Sequence, residues 1–122
     1  HDLKVRKGKI AAQVAHASLA AVLHMAKGTG YRDEPQEWIH IPVSDDLREW
    51  LTERFTKICV YCQDETELMD LYDKAQQAKL PCALITDAGC TEFNGVPTRT
   101  CIAIGPAKET EIDKITGHLP LL

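Results

Sequence analysis

Two stretches of the 122-residue chain combine side-chain types suited to binding an anionic ligand, with a cationic donor, a carboxylate and several hydroxyls. The first holds Lys4, Arg6, Lys7 and Lys9, a dense basic cluster, followed by Gln13 and His16. Lys9, Gln13 and His16 stand at i, i+4 and i+7, so a helix places them on one face. The helix dipole disfavours cations at a helix start. A cluster placed there suits an anionic ligand that the helix start also attracts. The second stretch is Thr86-Asp87-Ala88-Gly89-Cys90-Thr91, directly behind a short apolar run. Its carboxylate, Asp87, stands at the end of a buried strand, where open α/β sheets bind ligands. Asp followed by Ala-Gly is equally the composition of a plain turn. Thr91, Thr98 and Thr100 bring hydroxyls to the two ends of the same loop. The chain shows no Ser-His-Asp order, no phosphate-binding glycine loop and no paired metal ligands.

The elements that must position these residues follow from periodicity. Ile10, Val14, Ala17, Ala21, Val22 and Met25 recur at helical spacing and predict a helix from Gly8 to Lys27, stopped by Gly28-Thr29-Gly30. Its face of Val14, Ser18, Ala21, Val22 and Met25 is expected to pack on a sheet, leaving the Lys9/Gln13/His16 stripe outward. Residues 28–43 read as a loop with Pro35 and Pro42, anchored by Trp38, Ile39 and Ile41. Ser44 caps a second helix with an apolar stripe of Leu47, Trp50, Leu51 and Phe55. Lys57 to Cys62 reads as a strand. Asp64 caps a helix to about Ala78, with Leu68, Leu71, Tyr72 and Ala75 inward. Cys82–Ile85 and Thr100–Ile104 are short apolar runs typical of buried strands. A last helix runs from Lys108 to Ile115, and the apolar tail Gly117–Leu122 is expected to pack down. Helices alternating with apolar strands predict an α/β chain with helices on both sides of a sheet. A strand preceding Asp2 would start the first helix at that strand's carboxyl end, with Lys9 and Asp87 on one sheet edge.

Length and composition set the frame. The chain has the size of one domain, residues 1–122, with 44% hydrophobic and 26% charged residues. Fourteen Lys+Arg against 18 Asp+Glu give a formal charge of −4, which excludes a generally basic nucleic-acid coat but not a local basic patch. No apolar run approaches the roughly 20 residues of a membrane helix. Five cysteines, an odd and scattered set, do not form a disulfide framework and fit reduced thiols in the cytoplasm. Cys59 and Cys62, three apart on a strand, point to opposite faces and make neither a redox pair nor half a zinc site.

Four stretches together resemble one family. Asp2–Ala17, with its run Arg6-Lys7-Gly8-Lys9-Ile10-Ala11-Ala12-Gln13-Val14-Ala15-His16, is similar to the opening motif of the type 2 peptidyl-tRNA hydrolases. So are Thr86-Asp87-Ala88-Gly89-Cys90-Thr91, Ile102-Ala103-Ile104-Gly105-Pro106-Ala107 and Ile112–Leu119, in the same order. The resemblance implies a three-layer α/β/α fold around a mixed, mostly parallel sheet of about four strands, whose first strand would precede His1. It implies cleavage of the ester between a peptide and the 3′-terminal ribose of tRNA, without metal or cofactor, by a homodimer. Its catalytic lysine and aspartate fall on Lys9 and Asp87, and its supporting threonines on Thr91 and Thr100. Gln13 and His16 take site-facing positions, and Lys4, Arg6 and Lys7 would meet the tRNA acceptor end. Asp87 would orient or deprotonate an attacking water. Lys9 would stabilise the carbonyl oxygen, hold Asp87 ionised, or contact phosphate or ribose. Arg6 stands where the family often has Gly, Cys90 where a residue is often basic, and the loop Glu92–Arg99 is one residue longer. The rival readings are a non-catalytic tRNA- or RNA-binding or regulatory module on the same fold, and an interaction protein using Trp38 and Trp50.

Overall fold

The computed structural model describes residues 3–26, 29–30 and 38–122. Among these the chain is mixed α/β. The helices are α1 (Lys7–Leu23), α2 (Asp45–Thr52), α3 (Glu65–Gln77) and α4 (Glu109–Thr116). The strands are β1 (Thr29–Gly30), β2 (Trp38–Ile39), β3 (Cys82–Asp87) and β4 (Thr98–Ile104). The start at His1-Asp2, the turn at Pro35 and the anchoring side chain of Trp38 lie outside the described residues.

Local chemistry explains where the helices begin. Ser44 Oγ accepts the Leu47 N–H at 3.1 Å and Asp64 Oδ1 accepts the Glu67 N–H at 2.9 Å, so α2 and α3 both start on side-chain caps. Glu67 Oε2 reaches back to the Gln63 N–H at 2.7 Å, a reciprocal arrangement close to a capping box. α1 has no side-chain cap and no acid in its first turn. It also ends earlier than the glycines predict: the N–H groups of Met25 and Ala26 turn back to Val22 and Leu23, tightening the last turn before Gly28 is reached.

The sheet departs from expectation. Where the resemblance implies a mixed, mostly parallel sheet, the two pairings among the described residues, β1–β2 and β3–β4, are both antiparallel. Residues 88–97 join β3 to β4 without a helix, and a parallel return needs a crossover of a dozen residues or more. The Lys57–Cys62 run is extended yet forms no strand with the others. It pairs through one bridge, Val60 to Leu121, flanked by Tyr61 N–H to Pro120 O at 3.1 Å and Leu122 N–H to Cys59 O at 3.0 Å. Pro120 has no N–H to extend that ladder. The tail packs down only as far as Leu119; Leu121 and Leu122 are exposed. In α2 only Leu47 is fully buried; Leu51 is exposed, and Phe55, also exposed, lies beyond the helix end at Thr52.

The β3–β4 hairpin is covered on both sides. Cys82, Ile102 and Ile104 pack on Leu71 and Ala75 of α3 and Ile115 of α4. Strand side chains alternate, so Ala83, Ile85 and Asp87 face the other way, towards α1. There α1 lays its stripe of Gln13, Ala17 and Ala21 on the strands. This shifts the face assigned to α1: Gln13 and Ala17 are buried beside Ala21, while Val14, Ser18, Val22 and Met25 are only half-buried. The helix is alanine-rich, so its apolar contrast is weak and the spacing of larger residues misleads; small side chains let helix and hairpin approach closely.

Gly89 closes the loop between the two strands. Its φ of +82° lies in the left-handed region, and an added Cβ would sit 2.5 Å from Val96 O. We expect Gly89→Ala to cost about 2–4 kcal/mol from strain and overlap together, lowering Tm by roughly 10 °C. A thermal melt matching the parent would show that the loop does not need this turn.

Candidate active site

The site forms where the start of α1 meets the end of β3. Lys9 lies one turn before Gln13 on the helix, and Asp87 is the last residue of the strand. Lys9 Nζ donates to Asp87 Oδ2 at 2.6 Å, and each side chain keeps only 14% of its surface exposed. Gln13 Nε2 donates to the same oxygen at 3.1 Å. The other carboxylate oxygen, Oδ1, accepts the Gly89 N–H at 2.9 Å. Asp87 therefore makes the turn that its sequence suggests with one oxygen, and faces α1 with the other. A carboxylate offers about four acceptor positions. Donors from the described residues take three of them, Lys9, Gln13 and Gly89, and a water can be held at the fourth.

These contacts set the charge state of Asp87. The Lys9 hydrogen bond, then the Gly89 N–H, hold its carboxyl below the ordinary aspartate range; partial burial opposes them, and the Lys9 charge and Gln13 add to the lowering.

The threonines arrive by different routes. Thr91 Oγ1, on the loop, accepts from Lys9 Nζ at 3.1 Å. Thr100 reaches the site through a β-bulge. Ile85 pairs with Cys101 and Thr86 with Arg99, so Thr100 is the extra residue. Strict alternation from Cys101 would point it at α3; the bulge turns it to the α1 side. There its hydroxyl donates to Gln13 Oε1 at 2.5 Å. Gln13, 6% exposed, is thereby held at both ends, with its amide N–H on Asp87 and its oxygen on Thr100. Cys101 Sγ lies 3.2 Å from the backbone oxygen of Gln13 and holds that turn of α1. Thr98 does not join: its hydroxyl donates to Val96 O at 2.9 Å inside the loop.

The basic cluster divides in two. Lys9 is paired with Asp87. Arg6 Nε donates to Glu92 Oε1 at 2.6 Å, and its backbone N–H points to Glu92 Oε2 at 3.4 Å. The Arg6 hydrogen bond holds the Glu92 carboxyl below the ordinary glutamate range. Lys4 and Lys7 are exposed and have no ion-pair partner among the described residues. The local surplus of positive charge thus rests on those two lysines. His16 is exposed on the flank of α1 and is not drawn into the Lys9–Asp87 network. Two residues not singled out by spacing join the rim: Glu92, and Phe93, whose ring centroid is 5.7 Å from Lys9 Nζ. The available signal was an acid next to Thr91 in a chain whose basic cluster needs counter-charges. Among the described residues no group of His, Cys, Asp or Glu is arranged to hold a metal ion, and no helix is long and apolar enough to cross a membrane.

Comparison with known proteins is consistent along the whole chain. A family model described as peptidyl-tRNA hydrolase PTH2 matches residues 1–122. The peptidyl-tRNA hydrolase of Methanopyrus kandleri is 46% identical over 121 residues, covering 99% of this chain and 90% of the relative. That of Methanocaldococcus jannaschii is 43% identical over 122 residues, covering 100% and 93%. That of Sulfolobus acidocaldarius is 40% identical over 121 residues, covering 99% and 92%.

Proposed function

Because the chain belongs to the peptidyl-tRNA hydrolase PTH2 family and hydrolyses the ester of peptidyl-tRNA, we propose that Lys9 and Asp87 carry that reaction. The observation behind this reading is the 2.6 Å Lys9–Asp87 pair, shielded from solvent and backed by Gln13. The remaining acceptor position on Asp87 orients a water. The water oxygen attacks the ester carbonyl carbon as one of its protons passes to Asp87; the bond from that carbon to the ribose 3′-oxygen then breaks, and the 3′-oxygen takes the proton back from Asp87, leaving a free peptide acid and a ribose hydroxyl. Asp87, held ionised by its neighbours, is a weak base, so placing the water matters more than its basicity. Lys9 faces the carbonyl oxygen as negative charge develops there. Thr91 and Thr100 position ester and water, the first directly beside Lys9 and the second through Gln13. Of the two α1 residues proposed to face substrate, the exposed His16 meets it directly and buried Gln13 acts through Asp87 and Thr100; Lys4, Arg6 and Lys7 meet the phosphates of the acceptor end.

The same reading extends to the architecture. We take residues 1–122 as one domain of three layers around a mixed, mostly parallel sheet of about four strands, in which β3–β4 is an antiparallel pair. Support comes from the hairpin covered by α1 on one side and by α3 and α4 on the other. The enzyme is proposed to act in the cytoplasm as a homodimer, with water, Lys9 and Asp87 sufficient for the chemistry.

Turnover of an N-acetylated aminoacyl-tRNA tests the reading as a whole. Each of Lys4→Ala and Lys7→Ala is expected to raise KM several-fold and to reduce the slope of log KM against log salt by about one. Unchanged slopes would place the tRNA elsewhere on the surface.

A further inference from the structure

Arg6 and Glu92 form a pair whose two members differ sharply in exposure. The Arg6 side chain is 81% exposed and that of Glu92 only 11%. The carboxylate is tucked beneath while the guanidinium stands open. Two mobile surface side chains would make a weak, shifting pair. Here one partner is fixed: Glu92 follows Thr91, which contacts Lys9, and its second oxygen is aimed at the backbone N–H of Arg6 itself. Glu92 thus spans the main chain and the side chain of one residue at the start of α1. It uses only the Nε edge of the guanidinium. The Nη1 and Nη2 edge, with four of the five N–H donors, is left for an outside acceptor, and that planar fork matches two oxygens of a phosphate.

We propose that Glu92 is a positioning residue for substrate binding: it grips Arg6 by its inner edge and presents the outer edge to a tRNA phosphate beside the Lys9–Asp87 pair. This rests on the reading of Arg6 as a tRNA contact given above. The long arginine side chain would otherwise sample many rotamers and lose that freedom on binding. Held by Glu92, it meets the phosphate already oriented. The acid does not occupy the phosphate's place, because the two use different edges of the guanidinium.

Four variants separate this from its rivals: Arg6→Ala, Glu92→Ala, the double variant and Glu92→Gln. KM and kcat are measured on N-acetylated aminoacyl-tRNA, and the affinity for uncharged tRNA across a salt series. Both single alanine variants are expected to raise KM about 3–10-fold with the loss falling on KM rather than kcat, and the double variant to be no worse than Arg6→Ala, as for two residues acting as a unit. Glu92→Gln keeps an oxygen that accepts from Nε–H and is expected to restore most of the affinity. A lower KM in Glu92→Ala would make the acid a competitor for the site. A loss confined to kcat would make it a clamp on the loop that carries Thr91. Additive losses in the double variant would mean independent roles. Each of these overturns the proposal while leaving Arg6 as a contact. If Arg6→Ala leaves both KM and the salt dependence unchanged, the tRNA contact itself fails, and the role of Glu92 with it.

Discussion

Asp87→Asn is expected to reduce kcat on peptidyl-tRNA by about 10²–10⁴-fold, the range that a positioned acid–base group contributes. The substitution keeps the size of the side chain and removes the charge. It also removes an acceptor. Lys9 and Gln13 donate to one oxygen and Gly89 to the other. An asparagine amide must turn its NH2 towards one of these donors, and the acceptor position left for water is spent or reversed. Some loss of stability is therefore expected beside the loss of rate, and a thermal melt on the same sample separates the two. Asp87→Ala, which introduces no misplaced donor, is expected to lose comparable turnover. If either folded variant turns over within a few-fold of the parent, Asp87 does not handle the water.

Lys9→Ala is expected to reduce kcat by about 10²–10³-fold, as for removal of one donor aimed at a developing oxyanion. It carries a second signature in the pH profile. In the parent, the Lys9 hydrogen bond is the largest influence lowering the Asp87 pKa. A carboxylate with a lowered pKa stays ionised further into acid, so activity persists there and falls only as pH drops through that lowered value. Without Lys9 the acid limb of kcat/KM moves up, towards the ordinary aspartate value of about 3.9. The rate loss and the shift of the limb should appear together. A rise in KM and a shallower salt dependence, with kcat and the limb unmoved, would instead make Lys9 a phosphate contact.

The stretches that carry both residues stood out in the sequence, as cations crowded at a helix start and an acid behind an apolar strand; the acid also fits a plain turn, and it was the ordered set of four motifs that paired it with Lys9. The caps at Ser44 and Asp64 were legible as well, being local hydrogen bonds between residues three apart. What pattern could not give was anything set by approach between distant segments. The inward face of α1 was misjudged because alanines carry little hydrophobic signal, yet they allow the closest packing, and so buried Gln13 read as a solvent-facing residue. Which strands pair antiparallel was not legible, because alternation counts elements and ignores what connects them: residues 88–97 join β3 to β4 without a helix. Lys57–Cys62 has the composition of a buried strand, and its short C-terminal partner lets only one bridge form. Glu92 was passed over because its partner, Arg6, lies 86 residues away.

The bulge in β4 makes Thr100 a separable part of the hairpin. Thr98 and Asp87 share the α1 face, Arg99 reaches Glu65 of α3 on the other, and the regular ladder resumes at Cys101. Losing the single codon for Thr100 would therefore leave every other side chain of the hairpin on its present face, with the ladder unbroken. The hydroxyl that steadies Gln13 is an addition to a strand already complete without it. Whether Gln13 is steadied from the strand side is thus decided by one inserted residue, in register terms separate from the Lys9–Asp87 pair.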